Sequence, residues 1–201
     1  MNYDRYLAET EEHYNKKNLS YYLMRKPADR ILIPYVSQIK NAKVLEVGIG
    51  YGYYTGYYIK NHNKVKGLDV NPQLGKNTGV QIIQGTANQL KSKVKGTFHY
   101  ILSFFMTEYL PRKELQQFFE QSGELLQRGG ILATTVILKK GLGRWYIILA
   151  RIKGVKKYNY TMKEIKWIVH DLKNMRVRVT PLNTIMNIPF AVLVEIKKIG
   201  N

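Results

Sequence analysis

The apolar run Val44-Leu45-Glu46-Val47 breaks into Gly48-Ile49-Gly50-Tyr51-Gly52, and a second apolar run ends in Asp69, 21 residues beyond Gly48. This pairing constrains the fold more than any other feature of the chain. Residues 44–47 read as a buried strand, and the alternating glycines permit a tight turn in which backbone approaches a ligand without interference from Cβ atoms. The spacing to Asp69 suits a strand-helix-strand unit whose second strand ends in a carboxylate able to take both hydroxyls of a ribose. A nucleotide-type cofactor site is therefore expected. A dinucleotide loop of the form G-x-G-x-x-G needs a glycine where Tyr53 stands, which weakens the NAD reading.

Apolar runs at 43–47, 65–70, 80–83, 98–104 and 130–137 alternate with helix-like segments, the rhythm of a parallel sheet with right-handed crossovers. Residues 52–60 and 112–127 carry helical periodicity, with Pro111 suited to a first turn. Gly56 inside the first of these costs about 1 kcal/mol relative to alanine, which implies close packing on the sheet. Between the second and third strands the helix shrinks to about 72–76. After a late helix at 162–173, strands at 176–180 and 190–197 follow one another directly and must run antiparallel. With 201 residues and 45% hydrophobic content, one sizeable core and one domain spanning 1–201 are expected.

The pattern E-x-G-x-G-x-G, with its acid inside the strand, resembles motif I of the class I S-adenosylmethionine-dependent methyltransferases. Lys66-Gly67-Leu68-Asp69-Val70-Asn71-Pro72 resembles the second motif of that family, and Gln84-Gly85-Thr86-Ala87 the third, with Thr86 where the family commonly has Asp. The run 97–104 resembles the fourth-strand motif with His99 in place of an acid, at the end of the strand away from the ligand. The helix end, Gly129-Gly130 turn and strand at 125–132, and the helix at 160–165, complete the order. The resemblance implies an α/β, Rossmann-like, seven-stranded sheet in the order 3-2-1-4-5-7-6, strand 7 antiparallel, with helices on both faces. It implies S-adenosylmethionine as cofactor: Gly48 and Gly50 beside it, Glu46 at its amino acid end, Asp69 and Val70 at the ribose, Thr86 and Ala87 at the adenine, and Phe104 near the methionine portion. It is closest to the small, minimally decorated members, whose acceptors are small molecules.

The absence of cysteine excludes disulfides, thiolate metal sites and cysteine-nucleophile mechanisms, and four histidines at no ligand spacing argue against a metal. The N-terminal stretch carries Asp4, Glu9, Glu11 and Glu12, unlike a signal peptide, and no apolar run approaches the roughly 20 residues that span a bilayer. A soluble, cytoplasmic protein is expected. Its net charge of +18 is either a binding feature or the signature of a Lys-, Asn-, Ile- and Tyr-rich composition. No acid lies between Glu124 and Glu164, a stretch holding Lys139, Lys140, Arg144, Arg151, Lys153, Lys156 and Lys157.

Within that acceptor-side insertion, 138–160, the residues Leu142, Trp145, Tyr146, Leu149 and Ile152 recur at helical spacing. The stripe either caps the core, walls an apolar acceptor pocket, or rests on an anionic membrane surface with basic residues at the head groups. RNA would use the same charges, and a basic RNA-binding or RNA-modifying protein on this fold is the alternative function. Tyr3, Leu7 and Tyr14 place an amphipathic lid, or a frayed terminus, at 1–22. No motif names a catalytic base; His13, Tyr14 and Glu108 are the candidates, each otherwise a surface or capping residue. Tyr51, Tyr53, Tyr54, Tyr57 and Tyr58 are expected mainly to pack, with cation-π contact to a sulfonium as the functional alternative. Ser103-Phe104-Phe105-Met106 lacks the Asn/Asp-Pro-Pro-Tyr/Phe sequence that related enzymes use on planar amino groups. This argues against methylation of nucleobase or glutamine amides.

Overall fold

The sequence rhythm of apolar runs and helix-like segments becomes a seven-stranded sheet in the order β3-β2-β1-β4-β5-β7-β6 in the computed structural model, which describes residues 21–183 and 186–200. A π-helical turn at Tyr21–Arg25 leads into α1 (Lys26–Ser37), β1 (Lys43–Val47), α2 (Thr55–Tyr58) and β2 (Lys64–Asp69). Then follow β3 (Gln81–Gln84), α3 (Leu90–Lys93), β4 (Phe98–Ser103), α4 (Arg112–Leu125), β5 (Leu126–Ile137) and α5 (Gly141–Ile152). The chain ends with α6 (Met162–His170), β6 (Met175–Asn183) and β7 (Pro189–Lys198). Strands β1 to β5 pair in parallel, and β7 runs antiparallel to both β5 and β6. This is the expected architecture.

Both faces of the sheet are covered, as a parallel sheet requires. Leu45, Val47, Ile101 and Leu132 pack against Phe118, Phe119 and Ile165 from α4 and α6. Val44, Leu102 and Ala133 face the other way, onto Ala28, Leu32 and Val36 of α1 and Ile147 of α5. The two-residue period of β1 therefore sends Val44 and Glu46 to the α1 side, which decides the surroundings of that acid. The sequence reading had no helix at α1, although Ala28, Leu32 and Val36 recur every four residues and form its buried face.

Three expectations need correction. The helix proposed at 52–60 contracts to the single turn α2, because Gly48, Gly50 and Gly52 all take positive φ and hold the chain in turns ahead of it. Gly56 is exposed, with open space where a Cβ would stand, so it does not pack on the sheet. The turn at Gly129-Gly130 does not precede β5 but lies inside it: Phe98 pairs with Leu126 and Tyr100 with Ile131, and Gly129, at φ +77°, sits in the intervening irregularity.

Helix α5 exists as expected but docks on a different face. Gly143, Ile147 and Ala150 are buried, while Trp145, Leu149 and Ile152 of the expected stripe stand in solvent. Small residues win because α5 lies directly on the strand ends: a Cβ at Gly143 would fall onto the carbonyl oxygens of Leu138 and Phe190. The proposed lid at 1–22, and with it Tyr3, Leu7, His13 and Tyr14, falls outside the described residues up to position 20.

Alanine stabilises an ordinary helical glycine position by about 1 kcal/mol. At Gly143 the new methyl meets backbone oxygens that cannot rotate away, and overpacking of this kind costs about 1–3 kcal/mol. Gly143→Ala is expected to lower stability in urea denaturation; a stabilised variant would refute the close docking of α5.

Candidate active site

The turn after β1 and the tip of β2 form one unit. The Asp69 side chain is 2% exposed, and its two carboxylate oxygens accept hydrogen bonds from the backbone N–H groups of Gly50 (2.9 Å) and Asn71 (2.8 Å). Gly48 N–H donates to the Leu68 carbonyl at 2.7 Å, continuing the parallel pairing of β1 and β2 one step into the turn. Burial raises the pKa of Asp69, and the N–H groups of Asn71, Gly50 and Val70 oppose that shift by stabilising its charge. A carboxylate accepts about four hydrogen bonds, so Asp69 can hold the turn and still receive hydroxyl donors from a ligand.

Asp69 lies in the wall of a pocket of about 210 Å³ at the carboxyl edge of the sheet. Five of the expected residues meet there: Gly48, Asp69, Val70, Thr86 and Ala87. Val47, Leu68, Met106 and Leu110 make most of the remaining wall apolar, and Tyr109 and Glu114 stand at it too. The last four of these, from 106 to 114, escaped the sequence reading because they follow β4 without a motif. Their placement depends on Phe105, a non-glycine residue at φ +55° whose N–H donates to the Thr135 hydroxyl at 2.6 Å. That unfavourable backbone swings Met106 over Gly48, so closely that a Cβ on Gly48 would lie about 2.5 Å from the Met106 side chain. An apolar slot with one buried carboxylate fits an adenosyl group: walls for the base and an acceptor for the ribose.

The other three expected residues do not line this pocket. Gly50, at φ +51°, contributes the N–H that holds Asp69. Phe104 is buried edge-on against Tyr54, with ring centroids 4.9 Å apart. Glu46 projects to the α1 side, where one of its oxygens accepts from the hydroxyls of Tyr58 (2.5 Å) and Thr55. Thr86 is exposed and bonds locally: its N–H donates to Gln89 and its hydroxyl to Asn88. Of the tyrosines, Tyr54 and Tyr58 are buried, and the hydroxyls of Tyr53 and Tyr54 both donate to Asp29 of α1 at 2.7 Å. The Arg25 guanidinium lies 4.8–5.3 Å from the rings of Tyr53, Tyr54 and Phe105.

Glu108 is neither a surface residue nor a solvent-facing base. It is buried, 4.0 Å from the Lys157 ammonium, and the Tyr146 hydroxyl stands between them, 3.4 Å from Glu108 and accepting from Lys157. Lys157 is 0% exposed and its ammonium lies 4.8 Å over the ring of Tyr109, a wall of the pocket. Lys157 therefore leaves the set of surface charges expected at 139–157; Lys139, Lys140, Arg144, Arg151, Lys153 and Lys156 remain exposed. Removing one member of a buried ion pair costs about 3–5 kcal/mol, so this cluster fixes the 155–160 segment against the sheet. Among the described residues no group of acidic and histidine side chains is placed to hold a metal ion.

Burial pushes the Glu46 pKa up from the ordinary 4.5 to about 7; the Thr55 and Tyr58 hydrogen bonds oppose this, nearby Asp69 adds to it and Arg25 opposes it. Between those two values the folded protein holds a proton that the unfolded chain releases, so stability falls as pH rises from 4.5 towards 7. Denaturation at about pH 5 and about pH 8 is expected to show a smaller loss in Glu46→Gln than in wild type. Equal losses would mean that Glu46 is already ionised at the lower pH.

A family model described as a methyltransferase domain matches residues 44–130. No curated protein gives a significant sequence match. Among solved structures, magnesium protoporphyrin IX methyltransferase from Synechocystis PCC 6803 with bound S-adenosylhomocysteine superposes with a TM-score of 0.70 at 14% identity, covering 98% of this chain and 94% of that one. A Burkholderia thailandensis 1,6-didemethyltoxoflavin-N1-methyltransferase, with its substrate and S-adenosylhomocysteine, gives 0.67 at 14% identity, covering 98% and 89%. The plantazolicin methyltransferase bound to a desmethyl analogue gives 0.72 at 13% identity, covering 97% and 91%. Residues 44–130 thus match a methyltransferase domain model, and the chain has the fold of the class I S-adenosylmethionine-dependent methyltransferases.

Proposed function

We propose that this protein is an S-adenosylmethionine-dependent methyltransferase acting on a small or lipophilic molecule. The observation that carries this reading is Asp69: a buried strand-tip carboxylate that holds the glycine turn while bordering an apolar pocket of nucleoside size. The cofactor when bound supplies a methyl group on a sulfonium and a neutral leaving group, so methyl transfer needs little acid or metal assistance. The chain's task is to position, to exclude water and to match charge.

In this reading Asp69 receives the ribose hydroxyls, Val70 and Ala87 flank the adenine, and Leu110 and Met106 close over it. Thr86 sits at the adenine edge but is engaged with Asn88 and Gln89, so base recognition relies on the apolar walls and on backbone groups. The methionine half would lie towards Gly48, which requires the Met106 side chain now packed over that glycine to swing aside. Glu46 contributes indirectly, by holding Thr55 and Tyr58 of α2 under the turn, and Phe104 does so by supporting Tyr54. No described residue is assigned as catalytic base. The acceptor would enter beside the 104–106 segment and the acceptor-side insertion at 138–160. Solved structures of the same fold, a magnesium protoporphyrin IX methyltransferase, a 1,6-didemethyltoxoflavin-N1-methyltransferase and a plantazolicin methyltransferase in complex with a desmethyl analogue, support an acceptor of small-molecule size.

Calorimetry tests the cofactor. S-adenosylhomocysteine is expected to bind and NAD is not; Asp69→Ala leaves ribose hydroxyls unpaired and should cost about 1–3 kcal/mol of affinity. Undiminished binding in Asp69→Ala would remove the basis of the assignment. Gly50→Val should be more damaging, because position 50 has φ +51° and its N–H anchors Asp69.

A further inference from the structure

A second cavity, of about 710 Å³, opens between α5 and α6 at the same carboxyl edge of the sheet. It begins where α4 starts and where β5 ends: Arg112 is the first residue of α4 and Lys139 lies two residues beyond β5. Arg144 and Arg151, two turns apart on α5, bring the cationic residues to four. Among the described residues none of these four forms an ion pair. The single acid of the lining, Glu164, is occupied elsewhere: its carboxylate accepts the Thr161 N–H at 2.8 Å and the Thr161 hydroxyl at 2.9 Å, capping α6. Lys139 and Arg112 help to hold the Glu164 pKa low, after those two Thr161 bonds, without pairing with it. Arg112 is also oriented, its guanidinium 4.2 Å over the ring of Trp167 on α6.

Four cations around one concavity repel one another unless an anion is present, and a cleft lined by one sign of charge concentrates its field on a ligand of the other. Guanidinium groups suit planar, bidentate recognition of carboxylate or phosphate. The partition between this cleft and the Asp69 pocket is thin. Leu110 and Glu114 line one side and Arg112 the other, with the Tyr160 hydroxyl donating to the Leu110 carbonyl at 2.5 Å.

We propose that the cleft between α5 and α6 binds an anionic group, phosphate or carboxylate, carried by the methyl acceptor. That the anion is carried by a methyl acceptor rests on the methyltransferase reading; the anion site itself does not. The anion can belong to a water-soluble acceptor or to a lipid head group. Trp145 and Ile152, 62% and 76% exposed, crown the outer side of α5 next to the cleft and would meet the lipid in the second case.

Inorganic pyrophosphate is the probe, titrated into the full chain by calorimetry at physiological salt. Arg144→Glu/Arg151→Glu is expected to weaken binding at least tenfold, whereas Lys40→Glu/Lys60→Glu, exposed positions with the same change in net charge, should leave it within about twofold. No binding by wild type, or equal loss in both double variants, would overturn the proposal, because the attraction would then be absent or due to net charge alone. S-adenosylhomocysteine titrated into the same samples reports folding and the cofactor reading separately: if wild type ignores it but binds pyrophosphate at Arg144 and Arg151, the methyltransferase reading fails and the anion site stands. Pre-incubation with phosphatidylglycerol vesicles assigns the source. Competition with pyrophosphate, absent with phosphatidylcholine vesicles, identifies a lipid head group; unchanged affinity identifies a soluble acceptor.

Discussion

One buried carboxylate joins the two features on which the site depends. Asp69 accepts from Gly50 and from Asn71, tying the turn after β1 to the turn after β2. Desolvation works against its charge, and each of these charge-assisted bonds is worth about 1.5–3 kcal/mol where it is made. Gly48, Gly50 and Gly52 bring no side chains to hold the turn, although Ile49 between them is buried. Its shape is therefore set by that acid, by the β1–β2 pairing beneath it and by Met106 above it. A ligand hydroxyl bonding to Asp69 would meet an acceptor already oriented, so little is lost to reorganisation on binding.

Charge around α5 and the segment after it is divided between a paired interior and a cleft whose cations form no ion pair among the described residues. Lys157 and Glu108 neutralise each other through Tyr146, on the inner side of the 155–160 segment, with Tyr109 linking them to the pocket wall. On the outer side Arg112, Lys139, Arg144 and Arg151 form no ion pair among the described residues, and the one carboxylate of their cleft is committed to a helix cap. The first arrangement fixes a backbone segment and the second leaves a field directed at solvent. The same two stretches of sequence, 108–112 and 139–157, supply both.

The strands, their order and the antiparallel end of the sheet were legible because each rests on local pattern or on ordered motifs: apolar runs of strand length, glycines at one spacing, and two strands with no helix between them. Gly48, Asp69, Val70, Thr86 and Ala87 were legible as pocket residues for the same reason, all lying at or just beyond the ends of β1, β2 and β3. Met106, Tyr109, Leu110 and Glu114 were not, because the segment after β4 is shaped by the Phe105 backbone and its bond to Thr135 on the neighbouring strand. The α5 stripe misled because helical periodicity marks an apolar face without saying which face is buried. Trp145, Leu149 and Ile152 are larger and more apolar than Gly143 and Ala150, yet only the small residues let the helix backbone reach Leu138 and Phe190.

Sequence by itself determined that a strand would end in a glycine turn, that an acid would stand at the next strand's tip, and that residues 139–157 would carry positive charge without acids among them. These are properties of residues close in the chain, and the physics of φ, of pleat and of charge acts on them locally. Tertiary structure alone decided that Glu46 would be held by Thr55 and Tyr58 and that Glu108 would be buried against Lys157. It also decided that Arg112 would join Arg144 and Arg151 around one cleft. Those outcomes depend on which distant segments are brought together when the two faces of the sheet are covered, and on the cost of leaving a buried charge without a partner.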